Sequence, residues 1–193
     1  MHSRRTDGIH CADSSETVMS ESIEAQARAT ANEVIGVFVD DQMRAIPGAD
    51  GFWEDAYVLG FLLCAALQLT QGRHGDDLEP IAAADAVLHA LGDASGAGVD
   101  DMKDRVGVLQ NEGNLEYLGA MKAADKLVRF IAGSATARLD PQVLAAREKA
   151  VRMREDGSLD PDKVSEEAAL RGVLVNTLFT EVVMARFDGT AGT

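Results

Sequence analysis

The stretch Phe52 to Gln71, FWEDAYVLGFLLCAALQLTQ, constrains the fold more than any other part of the chain. From Tyr57 to Leu69 it runs thirteen residues with Gln68 as the only strongly polar side chain. A helix that is apolar all round, not along one stripe, has neighbours on every side. Thirteen residues fall short of the roughly 20 needed to cross a bilayer. The stretch therefore predicts the buried central helix (about 52–71) of a soluble helical bundle.

The remainder of the chain is compatible with such a bundle. Its 193 residues fit one domain, and a domain of that size buries about 70% of the surface of its unfolded chain. Hydrophobic residues make up 46% and aromatics only 5%, so the core must be built from Ala, Val, Leu, Ile and Met. No sustained period of two marks a strand. The expectation is a single all-α domain of six to seven helices at 21–187, between a disordered leader at 1–20 and a disordered tail at 188–193.

Charge narrows the choice of partner. A net charge of −14 argues against nucleic acid and anionic membrane. The charge is uneven, though. Between Lys122 and Arg154 lie eight basic residues (Lys122, Lys126, Arg129, Arg138, Arg147, Lys149, Arg152, Arg154) against Asp125, Asp140 and Glu148. That local +5 leaves −19 for the rest. Either these are solvated faces paired with acidic neighbours in the same fold, or they dock an acidic partner, a phosphate-bearing ligand or a second copy of the chain.

Cys64 lies within the apolar run, where a thiol behaves as a small buried hydrophobe. Cys11 lies in the polar leader, so a bridge between the two is not expected, and the pattern fits a reducing cytoplasm. Residues 1–20 contain no apolar run of the secretory kind, which points the same way.

Helical spacing recurs along the chain. Ile23, Ala27, Ala31, Val34, Ile35 and Phe38 mark a first helix from about Glu21 to Ala45, and the Ile46–Gly51 cluster turns the chain into the central helix, antiparallel to the first. Asp76 with Glu79 reads as a capping box for a third helix ending at Gly92. A fourth carries Val99 to Leu109, and a fifth starts near Asn114 beyond Gly113. Leu139-Asp140-Pro141 and Leu159-Asp160-Pro161 each read as an N-cap followed by proline at the first helical position, opening the sixth and seventh helices. The last helix, about Pro161 to Phe187, is expected to wall in the central one together with the first.

Chemistry is harder to find. Helical di-metal sites need Glu-x-x-His pairs, and the chain has none. Asp85 and His89 share a helix face and read as an exposed ion pair. The window Asp156 to Glu167 places oxygens as a calcium loop does, but Pro161 occupies the position that needs glycine. DASGAG at 93–98 lacks the strand before it and the Gly-Lys-Ser/Thr ending of a phosphate loop. Neither a metal nor a cofactor is expected.

Two functional readings follow. The first is a non-enzymatic cytoplasmic interaction or regulatory protein, homodimeric or bound to another protein through its helix faces. The second is a small helical enzyme or carrier with an apolar pocket for a hydrophobic small molecule. Its candidate catalytic groups are Glu54, Asp55 and Tyr57 at the N-terminal end of the central helix. Its candidate ligand contacts are Trp53 beside them and Asn176 and Thr180 on the last helix. Gly36, Gly60, Gly119 and Gly172 sit near the middle of helices, where glycine costs about 1 kcal/mol relative to alanine. Close helix–helix approach or room for a ligand would account for them.

Overall fold

The computed structural model describes residues 14–44, 46 and 49–187; most of the expected leader and all of the expected tail fall outside them. The described residues are all-α, with no strand. Helix α1 (Ser14–Phe38) is followed by a single turn, α2 (Asp41–Arg44), and a 3-10 segment (Ala49–Glu54). Then come α3 (Ala56–His74), α4 (Pro80–Ser95), α5 (Val99–Asn111), α6 (Leu115–Ile131) and α7 (Pro141–Glu155). The last rod is α8 (Glu166–Val175), a π-helical turn (Asn176–Thr180) and α9 (Glu181–Phe187), end to end. Counting that rod once, seven long helices make one bundle around α3.

α3 is the central helix that its apolar run predicts. Val58 to Ala66 are all buried, and Cys64 and Gln68 find partners on α6, while the buried Thr70 hydroxyl has none among the described residues. A Cβ built on Gly60 would lie 2.5 Å from the Tyr117 carbonyl oxygen. One turn on, Cys64 Sγ donates to the Met121 carbonyl at 3.3 Å, and a further turn on Gln68 Nε2 donates to Asp125 Oδ1 at 3.2 Å. Pairing 60 with 117, 64 with 121 and 68 with 125 keeps one offset, so α3 and α6 run parallel in close contact. This α3–α6 seam is the most extensive helix pair among the described residues.

α1 runs antiparallel to α3, as the short connection implies: the Phe38 ring meets Phe61, while Thr30 Oγ1 meets His74 Nε2 at 3.1 Å. The last rod reaches the same point, with Phe179 4.7 Å from Phe61 and 5.8 Å from Phe38. The first and last helices thus both touch α3, but α6 is its main neighbour. Glu166–Phe187, 22 residues with a mean hydropathy of 1.4 over its most apolar window, has the length and composition of a bilayer span. In the bundle it turns Leu170, Leu174, Phe179 and Val183 onto the core.

Several helix boundaries differ from the sequence reading, each for a local reason. α1 begins at Ser14 and stops at Phe38, where Asp40 Oδ1 accepts from the Met43 N–H at 2.9 Å and starts a new turn. α4 begins at Pro80, not at an Asp76 cap. Gly75 reverses the chain at φ +60°, Leu78 is buried, and Glu79 makes no side-chain cap. Asp140-Pro141 does open α7, with Asp140 Oδ1 accepting from Gln142 N at 2.8 Å. Asp160-Pro161 opens no helix. The Asp160 carboxylate instead closes a turn on Asp162 N at 3.0 Å, and Arg154 Nη1 donates to the Val164 carbonyl. Ser165 caps α8 through Ala168 N.

Candidate functional site

The N-terminal end of α3 is knitted to the last rod through Asp55, Tyr57 and Arg186. Asp55 is the N-cap of α3, its Oδ1 accepting from Tyr57 N at 2.8 Å and Val58 N at 3.0 Å. Its other oxygen takes Arg186 Nη1 at 3.0 Å, and the same nitrogen meets Glu116 Oε2 at 3.1 Å. The guanidinium carbon lies 5.2 Å from the centroid of the Tyr57 ring, a cation over an aromatic face. Burial pushes the Tyr57 phenol above its ordinary range, and the nearby Arg186 charge pulls in the opposite direction.

The Tyr57 hydroxyl donates to the Leu178 carbonyl at 2.6 Å. Leu178 lies in the π-turn, where Glu181 N–H reaches back to the Asn176 carbonyl. Such turns insert an extra residue into a helix and recur at functional sites. Here the turn borders a cleft of about 330 Å3 between α6, α7 and the last rod. Tyr57, Thr177, Leu178 and Val182 line it from α3 and the rod. Gly119, Lys122, Ala123 and Lys126 line it from α6, and Gln142 from α7. Lys126 is held by Asp140 Oδ2 at 3.0 Å and by Gln142. Lys122 is exposed and has no partner among the described residues.

The candidates named from sequence do not converge. Glu54 lies on the α5 side, with Arg105 Nη1 at 3.6 Å, and lines a different open cleft. Trp53 stands edge-on to Phe52, and its carbonyl accepts from Arg105 at 3.3 Å. Asn176 donates to Glu181 Oε1 at 2.7 Å, on the carboxylate that also holds Lys149. Thr180 is half-buried and does not line the cleft. Only Tyr57 reaches the cleft. Both Asp55 oxygens are taken up in capping and pairing, which leaves neither free as a proton carrier.

Sequence reading missed Arg186, Gln142 and Thr177 as members of this cluster. Gly119, Lys122 and Lys126 stand out singly in the sequence, but nothing in their spacing places them against the rod. Elsewhere, Asp85 pairs with Lys103 at 2.7 Å and with His89 at 3.4 Å, on an exposed surface. Burial pushes the Cys64 thiol up, away from a reactive thiolate. Among the described residues no group of three or more His, Cys, Asp or Glu could hold a metal.

The basic stretch divides in two. Lys126, Arg129 and Lys149 pair with Asp140, Asp125 and Glu181, and Arg154 binds a carbonyl. Lys122, Arg138, Arg147 and Arg152 have no partner among the described residues. Leu139, Leu144 and Val151 lie on the same stretch, 73%, 41% and 39% exposed. Compared with known proteins, the chain matches no family model, no curated protein and no solved structure.

Proposed function

We propose that the chain is a non-enzymatic cytoplasmic interaction protein that forms a homodimer, docking the basic, leucine-bearing face of α7 on an acidic face of a second copy. The observation that carries this reading is the split of the basic stretch. Among the described residues Arg138, in the turn before α7, and Arg147 and Arg152 on it have no partners, and they lie along the chain with exposed Leu139, Leu144 and Val151 and with the acidic Glu148. An apolar centre with an arginine rim is the usual anatomy of a protein interface. α5 supplies a complementary surface, with Asp100, Asp101 and Asp104 exposed beside Val108. A two-fold axis would make the contact twice over, α7 of each copy on α5 of the other. The enzymatic reading has less support, because the acid–base groups at the α3 end are engaged in structural bonds.

Light scattering on the eluting protein tests the reading. The expected mass is twice 20.5 kDa in dilute buffer and falls to the monomer at 0.5 M salt, since charged contacts are screened at that strength. Arg147→Glu is expected to give a monomer, and Arg147→Glu with Asp104→Arg to restore the dimer. A monomer at every salt concentration would sink the proposal.

A further inference from the structure

We propose that the cleft between α6, α7 and the π-turn binds a small monoanion with a short apolar tail, of the short-chain carboxylate class. The inference rests on the cleft alone and not on the docking of α7.

Three features that packing does not explain meet there. The first is Gly119. Glycine inside a helix costs about 1 kcal/mol relative to alanine, yet a Cβ built at this position meets nothing within 4 Å. Close packing therefore does not account for it; the position is exposed and lines the cleft. The second is the π-turn, which departs from regular α geometry and is tied down by the Tyr57 hydroxyl on Leu178. The third is Lys122, an ammonium at the rim with no partner among the described residues. Lys126, one turn on, is already held by Asp140.

The lining sets the chemistry of the ligand. In a chain of net charge −14, no carboxylate among the described residues lines this cleft, and its charged groups there are Lys122 and Lys126. The side chains of Ala123, Leu178 and Val182 make its apolar part. Thr177 and Gln142 add neutral hydrogen-bonding groups. At the ~30 Å3 that a water occupies in the liquid, 330 Å3 has room for about ten non-hydrogen atoms. That suits a carboxylate carrying four to six carbons, with its charge toward Lys122 and its tail against Val182. It does not suit a nucleotide or a long-chain lipid.

The test is an NMR titration of the isotope-labelled protein with hexanoate at constant ionic strength, with acetate, hexanol and hexylammonium as comparators. Hexanoate is expected to give saturable shifts confined to Gly119, Ala123, Thr177 and their neighbours. Acetate and hexanol should bind more weakly, and hexylammonium should not bind. Lys122→Gln should weaken hexanoate about two- to fivefold, the range for one lost exposed ion pair. Gly119→Leu, which fills the cleft from an exposed position, should abolish binding, and Ala123→Leu repeats the block from the next turn. Because neither glycine nor alanine belongs to the α7 face, dimer mass should be unchanged in both variants. Shifts that rise linearly and spread over all basic residues would overturn the proposal. So would equal binding of hexylammonium, or hexanoate binding that survives both blocking variants.

Discussion

The two glycines that flank the α3–α6 pair are placed for opposite reasons. Gly60 lies in the seam, where the Tyr117 carbonyl would be 2.5 Å from its Cβ and the Ala120 methyl 3.2 Å away. Gly119 lies on α6 facing away from the seam, with nothing within 4 Å. The first glycine lets two helix backbones touch. The second leaves a gap beside the last rod. Both are the fifth residue of their helices, and both carry the same conformational cost. What separates them is the identity of the nearest atom, backbone in one case and open space in the other.

The sharpest way to break this contrast is Gly60→Ala. A methyl group placed against a carbonyl oxygen cannot be relieved by a rotamer change, so the parallel helices must move apart. Overpacking of this kind typically costs about 1–3 kcal/mol. Urea unfolding should show a lower midpoint with the slope unchanged. An unchanged midpoint would mean that the seam is looser than the Gly60–Tyr117 spacing indicates.

That contrast also marks the limit of what sequence conveys here. The apolar run of Tyr57 to Leu69 announced its own burial, because no exposed helix tolerates apolar residues on every face. Asn114 and Asp140-Pro141 announced helix starts, because capping is a local event. Asp160-Pro161 carries the same signal and failed, because Arg154 and the Asp160 carboxylate hold that segment in a turn. The candidate site was much less legible. Tyr57 and Asp55 were picked out by their position beside the apolar run. Their partners Arg186 and Leu178 lie more than 100 residues away, and no periodicity encodes that pairing. The π-turn leaves no pattern that distinguishes it from ordinary helix.

The junction of α3 with the last rod gives the next largest effects. Asp55→Ala removes a helix cap, typically worth about 1 kcal/mol, and leaves Arg186 with Glu116 and the Tyr57 ring. Tyr57→Phe removes the donor to the Leu178 carbonyl, a bond worth roughly 1 kcal/mol net. Both variants should lower the thermal midpoint while the bundle stays helical by circular dichroism. If the junction holds the cleft open, Tyr57→Phe should also speed amide exchange across 176–180 and leave exchange at Gly60 unchanged. Equal change at both places would mean that the junction belongs to the core as a whole.

Gly119→Ala sharpens the contrast from the other side. With open space around the new methyl group and ordinary helical backbone, the substitution restores helix propensity. It should stabilise the protein by up to about 1 kcal/mol, partly through the unfolded chain. The sign is the point of the measurement: alanine at 60 should destabilise, and alanine at 119 should stabilise. A loss at both positions would mean that Gly119 is packed after all.

The smallest effect concerns the two lysines at the cleft, one held and one free. Burial of Asp140 works against its charged form, but hydrogen bonds from Lys126 and from the Gln142 N–H outweigh it. The carboxyl is therefore held below its usual range in the folded protein. A carboxylate with a lowered folded pKa contributes stability that is full above its unfolded value, near 3.9. That contribution is lost as the pH falls through the folded value. Because Lys126 and Asp140 are each about a quarter exposed, the pair is worth a few tenths of a kcal/mol. Lys126→Gln should therefore flatten the stability curve slightly below about pH 4. Lys122→Gln should leave that limb as it was, since Lys122 holds no carboxylate among the described residues. Urea midpoints for the two variants between pH 2 and 6 separate these outcomes. Equal flattening by both would show that the field of the whole basic stretch, and not the Asp140 contact, sets the acid limb.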